Sequence, residues 1–132
     1  MSQRPRTLLA VAIESSRYAD FGRNLKDFLH AFAEARQRSD PLEPMLAPAP
    51  PRLAGLFPEG AICDAFLAAT ADYLARRNRI PTPDWALSTS IALDQPWFSP
   101  DLPSVRAMLL RDSPSAFKDK NLFVLDSILD VA

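Results

Sequence analysis

The stretch GAICDAFLAATADYLARR, Gly60 to Arg77, decides how the rest of the chain is read. Ile62, Phe66, Ala69 and Tyr73 form one row at spacings of four, three and four, and Cys63, Leu67 and Leu74 form an adjoining one. This is the period of an α-helix with a broad apolar face, and the pattern predicts a helix from Glu59 or Gly60 to Arg77. Asp64 falls in its first turns and Arg76-Arg77 in its last, as the helix dipole favours, while Asp72 stands four residues before Arg76 for an ion pair along the helix. Asn78, Arg79 and Pro81 end it. A two-row face docks between neighbouring helices, so this element is expected at the centre of the core.

Upstream, the chain reads as two helices, Thr7 to Ser15 and about Tyr18 to Arg38, separated near Ser15-Ser16. Phe21, Leu25, Phe28, Phe32 and Ala35 make one apolar stripe on the longer helix, and Glu34 and Arg38 an i,i+4 pair. Gly22 weakens that helix by about 1 kcal/mol of propensity, and is expected to let another helix or loop approach closely. Between Pro41 and Pro58 stand Pro44, Pro48, Pro50 and Pro51, which remove backbone donors and exclude a regular helix or a central strand. Leu42, Met45, Leu46, Leu53, Leu56 and Phe57 are too apolar for a solvated spacer, so the segment at about 41–58 is expected to be an extended strap over the helices.

Downstream, Pro81-Thr82-Pro83-Asp84-Trp85 is a stiff turn, and Ser88 to Leu93 is read as short helical turns or loop, because an isolated strand would lack a ladder. Pro96, Trp97, Phe98 and Pro100 form a second rigid aromatic cluster. A helix from Asp101 or Pro103 to about Arg111 presents Val105, Met108 and Leu109, one turn is expected at Ser115 to Lys118, and Leu122 to Leu125 with Ile128-Leu129 closes the fold as a helix or an extended tail. The expected fold is mostly α: a single small helical domain over 1–132, with four to six helices and proline-rich irregular connections.

Charge and chemistry narrow the function classes. The 132 residues are 48% hydrophobic and carry 15 basic against 16 acidic groups, so no global positive field exists to neutralise phosphates, and direct nucleic-acid binding is not expected. No apolar run is long enough to span a bilayer, and the run Thr7 to Ile13 is closed by Glu14 and Arg17, so a cytoplasmic protein without membrane contact is expected. Cys63, the one cysteine, excludes an intrachain disulfide, and His30, the one histidine, excludes a histidine-rich metal site. Metal-binding CxxC, HExxH and EF-hand patterns, a phosphate loop and GxGxxG are all absent. Asp64 and Asp72 fall nearly on one helical face without metal-ligand spacing. No catalytic residue, cofactor or metal is therefore assigned. A small enzyme, the alternative reading, would need His30 or Cys63 to meet carboxylates or basic groups in space. A DNA-associated regulator is the third: Arg76-Arg77-Asn78-Arg79 concentrates charge, but the helix dipole accounts for it and no helix-turn-helix signature precedes it.

Asp72-Tyr73-Leu74-Ala75, Pro83-x-Trp85, Pro96-Trp97-Phe98, Val105-Arg106-x-x-Leu109-Leu110, Asp112-Ser113-Pro114, Phe117 and Asn121-Leu122-Phe123-Val124 resemble a group of small bacterial helical proteins. Similar tails stand behind helix-turn-helix domains, or accompany nucleotidyltransferase-like partners in toxin–antitoxin or regulatory pairs. The resemblance covers Asp72 to Val124, and names no catalytic set. Asp112 replaces a frequent glutamate, and Lys118 and Lys120 replace frequent arginines, keeping charge but losing the bidentate fork. It implies an antitoxin-like or regulatory accessory protein with a toxin-like or nucleotidyltransferase-like partner.

The expected function is thus a noncatalytic protein-interaction module. Tyr73, Trp85, Trp97 and Phe123 are the candidate partner anchors, and Arg76, Arg79 and Arg111 would set orientation by charge. The same aromatics can instead fill gaps between short elements, in which case a buried Trp85 or Trp97 should find a carbonyl for its indole N–H. Arg106 and Arg111 either clamp acidic groups within the fold or face a partner, and Asn121 is read as a local cap or turn. A homodimer over a shared apolar face is a further partner expectation.

Overall fold

The computed structural model describes residues 5–129, and its first helix starts where a hydroxyl can cap it. Thr7 Oγ1 accepts the Ala10 N–H at 3.0 Å, opening α1 (Leu8–Ile13). Ser15 Oγ then donates to Val11 O at 2.6 Å, and the chain turns into α2 (Tyr18–Gln37). The predicted stripe of Phe21, Leu25, Phe28, Phe32 and Ala35 is buried, joined by Leu29 and Ala31. Gly22 departs from expectation: nothing lies within 4 Å of the position its β-carbon would take.

Helix α4 (Gly60–Arg77) has the predicted bounds and the predicted central place, meeting α2, two short helices, α3 (Glu43–Leu46) and α6 (Ser115–Lys118), and the 3₁₀ turns at Asp84–Leu87 and Thr89–Ile91. Every residue from Cys63 to Asp72 is buried, so the helix is enclosed nearly all round at its middle. Ala65, Ala68, Ala69 and Ala71 permit this because small side chains let neighbours close in on several sides. Ile62 and Tyr73, at the edges of the predicted face, are only half-buried. Both long helices end in a left-handed residue, Ser39 (φ 59°) after α2 and Arg79 (φ 56°) after α4. Asp40 N–H returns to Ala35 O at 2.9 Å and Ile80 N–H to Ala75 O at 3.0 Å, satisfying terminal carbonyls.

The strap needs one correction. A single helical turn, α3 (Glu43–Leu46), forms inside it and buries Met45 and Leu46. Pro44 stands in the first turn, where its missing N–H would have had no intrahelical acceptor, so a short helix is compatible with it. The rest runs irregularly to α4, with Leu53 buried and Leu56 exposed.

The second half holds α5 (Arg106–Asp112), α6 (Ser115–Lys118) and a pair of short strands, β1 (Trp97–Ser99) and β2 (Leu122–Val124). The strands pair in parallel with Trp97 opposite Leu122, Phe98 opposite Phe123 and Ser99 opposite Val124. Leu122 to Val124 therefore takes the extended alternative and Asp126–Leu129 turns as a 3₁₀ helix, while the strand at Trp97 differs from the loop expected there. Three residues are too few to show a two-residue period, and the ladder comes from a distant segment. Asn121 starts the pairing with φ 67°: its carbonyl accepts the Trp97 N–H at 3.0 Å, and its Nδ2 donates to Leu93 O at 3.0 Å. The fold is mostly α, with six α-helices among the described residues, and its core is one cluster running from Leu8 to Leu129. Among the described residues no helix is long and apolar enough to cross a membrane.

Candidate interaction site

Alternation along two paired strands gives the sheet two different faces. Inward, Leu122 and Val124 are fully buried, and the half-buried Trp97 meets Phe66 edge-on at 5.5 Å and 84°. Outward, Phe98 and Phe123 stack at 5.1 Å with 22° between their planes. The Arg106 guanidinium lies 4.9 Å from the Phe98 ring centre, and its Nη2 donates to Asp101 Oδ1 at 2.7 Å. Both rings are half-buried and neither belongs to the core cluster, whereas Phe117 is completely enclosed. Leu102 and Leu110, on the segment that carries Arg106, are exposed.

The other candidates scatter. Tyr73 packs edge-on against Phe117 at 6.1 Å, and its hydroxyl accepts from Arg77 Nη1 at 2.7 Å. Arg76 grips buried Asp72 through Nε (3.0 Å) and Nη2 (2.8 Å) and reaches Asp119 at 3.3 Å, so its charge is engaged within the chain. Arg79 is exposed, and its backbone closes α4. Trp85 is half-buried and donates its indole N–H to Leu46 O at 3.0 Å, tying the 3₁₀ turn to α3. Trp97 makes no such bond among the described residues. Arg111 is exposed and pairs with its neighbour Asp112 at 2.8 Å. Of the seven candidates, Phe123 and Trp97 sit on the strand pair, on opposite faces of it, and the remaining five do not join them. Phe98 and Arg106 complete the outward surface; Phe98 stood out in the sequence as part of a proline-flanked cluster, but which way it points depends on the strand pairing.

Cys63, Asp64, Asp72 and Lys120 are each engaged or enclosed by the fold. Cys63 is fully buried, and burial, helped by the nearby Asp64 and Glu59 carboxylates, pushes its thiol up to about 12. Asp64 Oδ1 and Oδ2 accept the N–H groups of Leu53 and Ala54 at 2.8 and 3.0 Å, pinning the strap to α4. Asp72 also takes the Thr82 hydroxyl at 2.9 Å. Lys120 is buried, its Nζ donates to Ser88 O at 2.9 Å, and burial holds its ammonium below the usual lysine range. His30 is half-buried on α2 with no hydrogen bond or ion pair among the described residues. Among these residues no group of three or more His, Cys, Asp or Glu is placed to hold a metal ion.

A groove of about 530 Å³ opens beside the inward face of β1, between the first half of α2 and Trp97, Ser99 and Leu129. Phe66 forms part of its wall, and Tyr18, Gly22 and Lys26 line its α2 side. Burial raises the Tyr18 phenol above its ordinary value.

No family model, curated protein sequence or solved structure matches this chain.

Proposed function

We propose that this chain is a noncatalytic, cytoplasmic interaction protein, antitoxin-like or regulatory, that holds a protein partner against the outward face of the β1–β2 pair. The observation that carries this reading is the Phe98–Phe123 stack under Arg106, set outside the core cluster. Aromatic rings and arginine are enriched at the cores of protein interfaces, and here the stack and the guanidinium are already in contact with one another, which reduces what a partner would have to order. Leu102 and Leu110, exposed on the segment that carries Arg106, add apolar area, and the Arg106 guanidinium would orient an acidic partner surface. A nucleotidyltransferase-like or toxin-like protein is the proposed partner class, and occlusion of its cleft the simplest mechanism.

Affinity capture under native salt, followed by identification of stoichiometric partners, tests the proposal when it is run with three chains: wild type, Phe123→Ala and Tyr73→Ala. Recovery of one protein by the wild type and Tyr73→Ala, and its loss with Phe123→Ala at an unchanged melting temperature, is the expected result. Equal recovery by all three, or recovery of a nucleic acid alone, would overturn it.

A further inference from the structure

The groove beside α2 carries a second assignment, independent of the outward aromatic pair. Gly22 lies inside a 20-residue helix, where glycine weakens the element, yet its φ is not positive and nothing lies within 4 Å of its missing β-carbon. Neither backbone conformation nor internal packing asks for glycine there. What the missing side chain does leave is open space in the groove wall. The groove's volume of about 530 Å³ falls within the usual range for small-molecule sites, and Leu25, Phe66 and Trp97 give it an apolar interior.

Its polar groups all point to one kind of ligand. Lys26 is exposed and makes no ion pair among the described residues, and the Trp97 indole N–H and the Tyr18 and Ser99 hydroxyls likewise make no hydrogen bond there. Every one of these groups can donate, one is a cation, and no carboxylate among the described residues lines the groove. We propose that the groove binds an amphipathic monocarboxylate, with its aliphatic chain laid past Gly22 against Phe66 and Trp97 and its carboxylate at Lys26. Complementary charge fixes the headgroup, and the apolar wall takes the tail.

Titration calorimetry on the full chain, with decanoate, decanol and decyltrimethylammonium below their aggregation concentrations, tests this. Decanoate should saturate at one per chain, decanol should bind at least threefold more weakly, and the cation should not bind. Shortening the acid to octanoate should weaken binding by about fourfold per methylene removed. Lys26→Gln should weaken decanoate by about threefold to tenfold and leave decanol unchanged. Gly22→Leu should remove binding without lowering the melting temperature, and Gly22→Ala, with its smaller intrusion, should weaken it in a chain at least as stable as wild type. Phe123→Ala should leave decanoate affinity unchanged, which separates this site from the partner surface. Equal binding of all three headgroups, decanoate binding indifferent to both Gly22 variants, or no binding at all would each overturn the assignment.

Discussion

Gly60, the first residue of α4, lies so close under the carbonyl oxygen of Leu53 that a β-carbon on it would overlap that oxygen. The obstacle is backbone, and that backbone is itself pinned by Asp64, so it cannot swing aside as a flexible side chain would. Gly60→Ala should therefore destabilise the fold by about 1–3 kcal/mol, in spite of alanine's better helix propensity. Gly22→Ala should do the reverse and gain up to about 1 kcal/mol, because its site is open. Urea denaturation of the two variants beside the wild type checks the opposite signs.

Asp64 is expected to matter for the strap more than for the helix that carries it. Removing its carboxylate with Asp64→Ala strands the N–H of Leu53, a buried residue between exposed neighbours, and frees the partly buried N–H of Ala54. One buried unsatisfied donor costs about 1–3 kcal/mol, so a loss of that size is expected, and Asp64→Asn, which keeps one acceptor, should lose less. Limited proteolysis between Pro48 and Gly55 should speed up in the alanine variant before global unfolding, since the strap is the part released.

Cys63 gives stability a definite pH dependence. Its thiol ionises near 9 when unfolded and about 12 when folded, so above pH 9 the unfolded chain has lost a proton the folded chain keeps. Stability from this residue is present in full below pH 9 and is lost as pH rises towards 12, at a slope of at most about 1.4 kcal/mol per pH unit. Lys120, whose ammonium is held below its usual range, acts in the opposite sense, and comparison with Cys63→Ala cancels it because both chains keep Lys120. The Cys63→Ala chain should be less stable at neutral pH because of the cavity, and should show a shallower alkaline decline. Thiol reagents should label native Cys63 only at the rate of unfolding.

The helical frame was legible because α2 and α4 are long enough for Phe21, Leu25 and Phe28, or Phe66 and Ala69, to display a period that only one backbone shape satisfies. The helix ends were legible too, α4 through Asn78, Arg79 and Pro81, but the left-handed conformation that closes them was not, since Ser39 and Arg79 take a shape that sequence reasoning expects of glycine. The Gly60 approach was hidden because it depends on where the strap crosses α4. For the site, Phe123 and Trp97 stood out as aromatics, but only the register across 25 residues of chain separates the outward Phe98–Phe123 face from the inward Trp97 face. Of the two carboxylates that hold Arg76, Asp72 was legible from its i,i+4 spacing, whereas Asp119, 43 positions away, was not.

The two tryptophans, both half-buried, differ in whether the fold engages the indole N–H. Trp85 spends its N–H on Leu46 O across 39 residues, so Trp85→Phe keeps most of the packing but leaves that carbonyl without its donor, and a loss of about 0.5–1.5 kcal/mol is expected. Trp97 makes no indole bond among the described residues and lines the open groove, so Trp97→Phe should cost less than Trp85→Phe, keeping the edge-on contact with Phe66. The emission of Trp97, isolated in the Trp85→Phe chain, should be quenched readily by iodide, since Lys26 beside it attracts the anion, whereas Trp85 in the Trp97→Phe chain should be quenched weakly. Equal quenching of the two, with equal losses of stability, would mean that both rings serve packing alone.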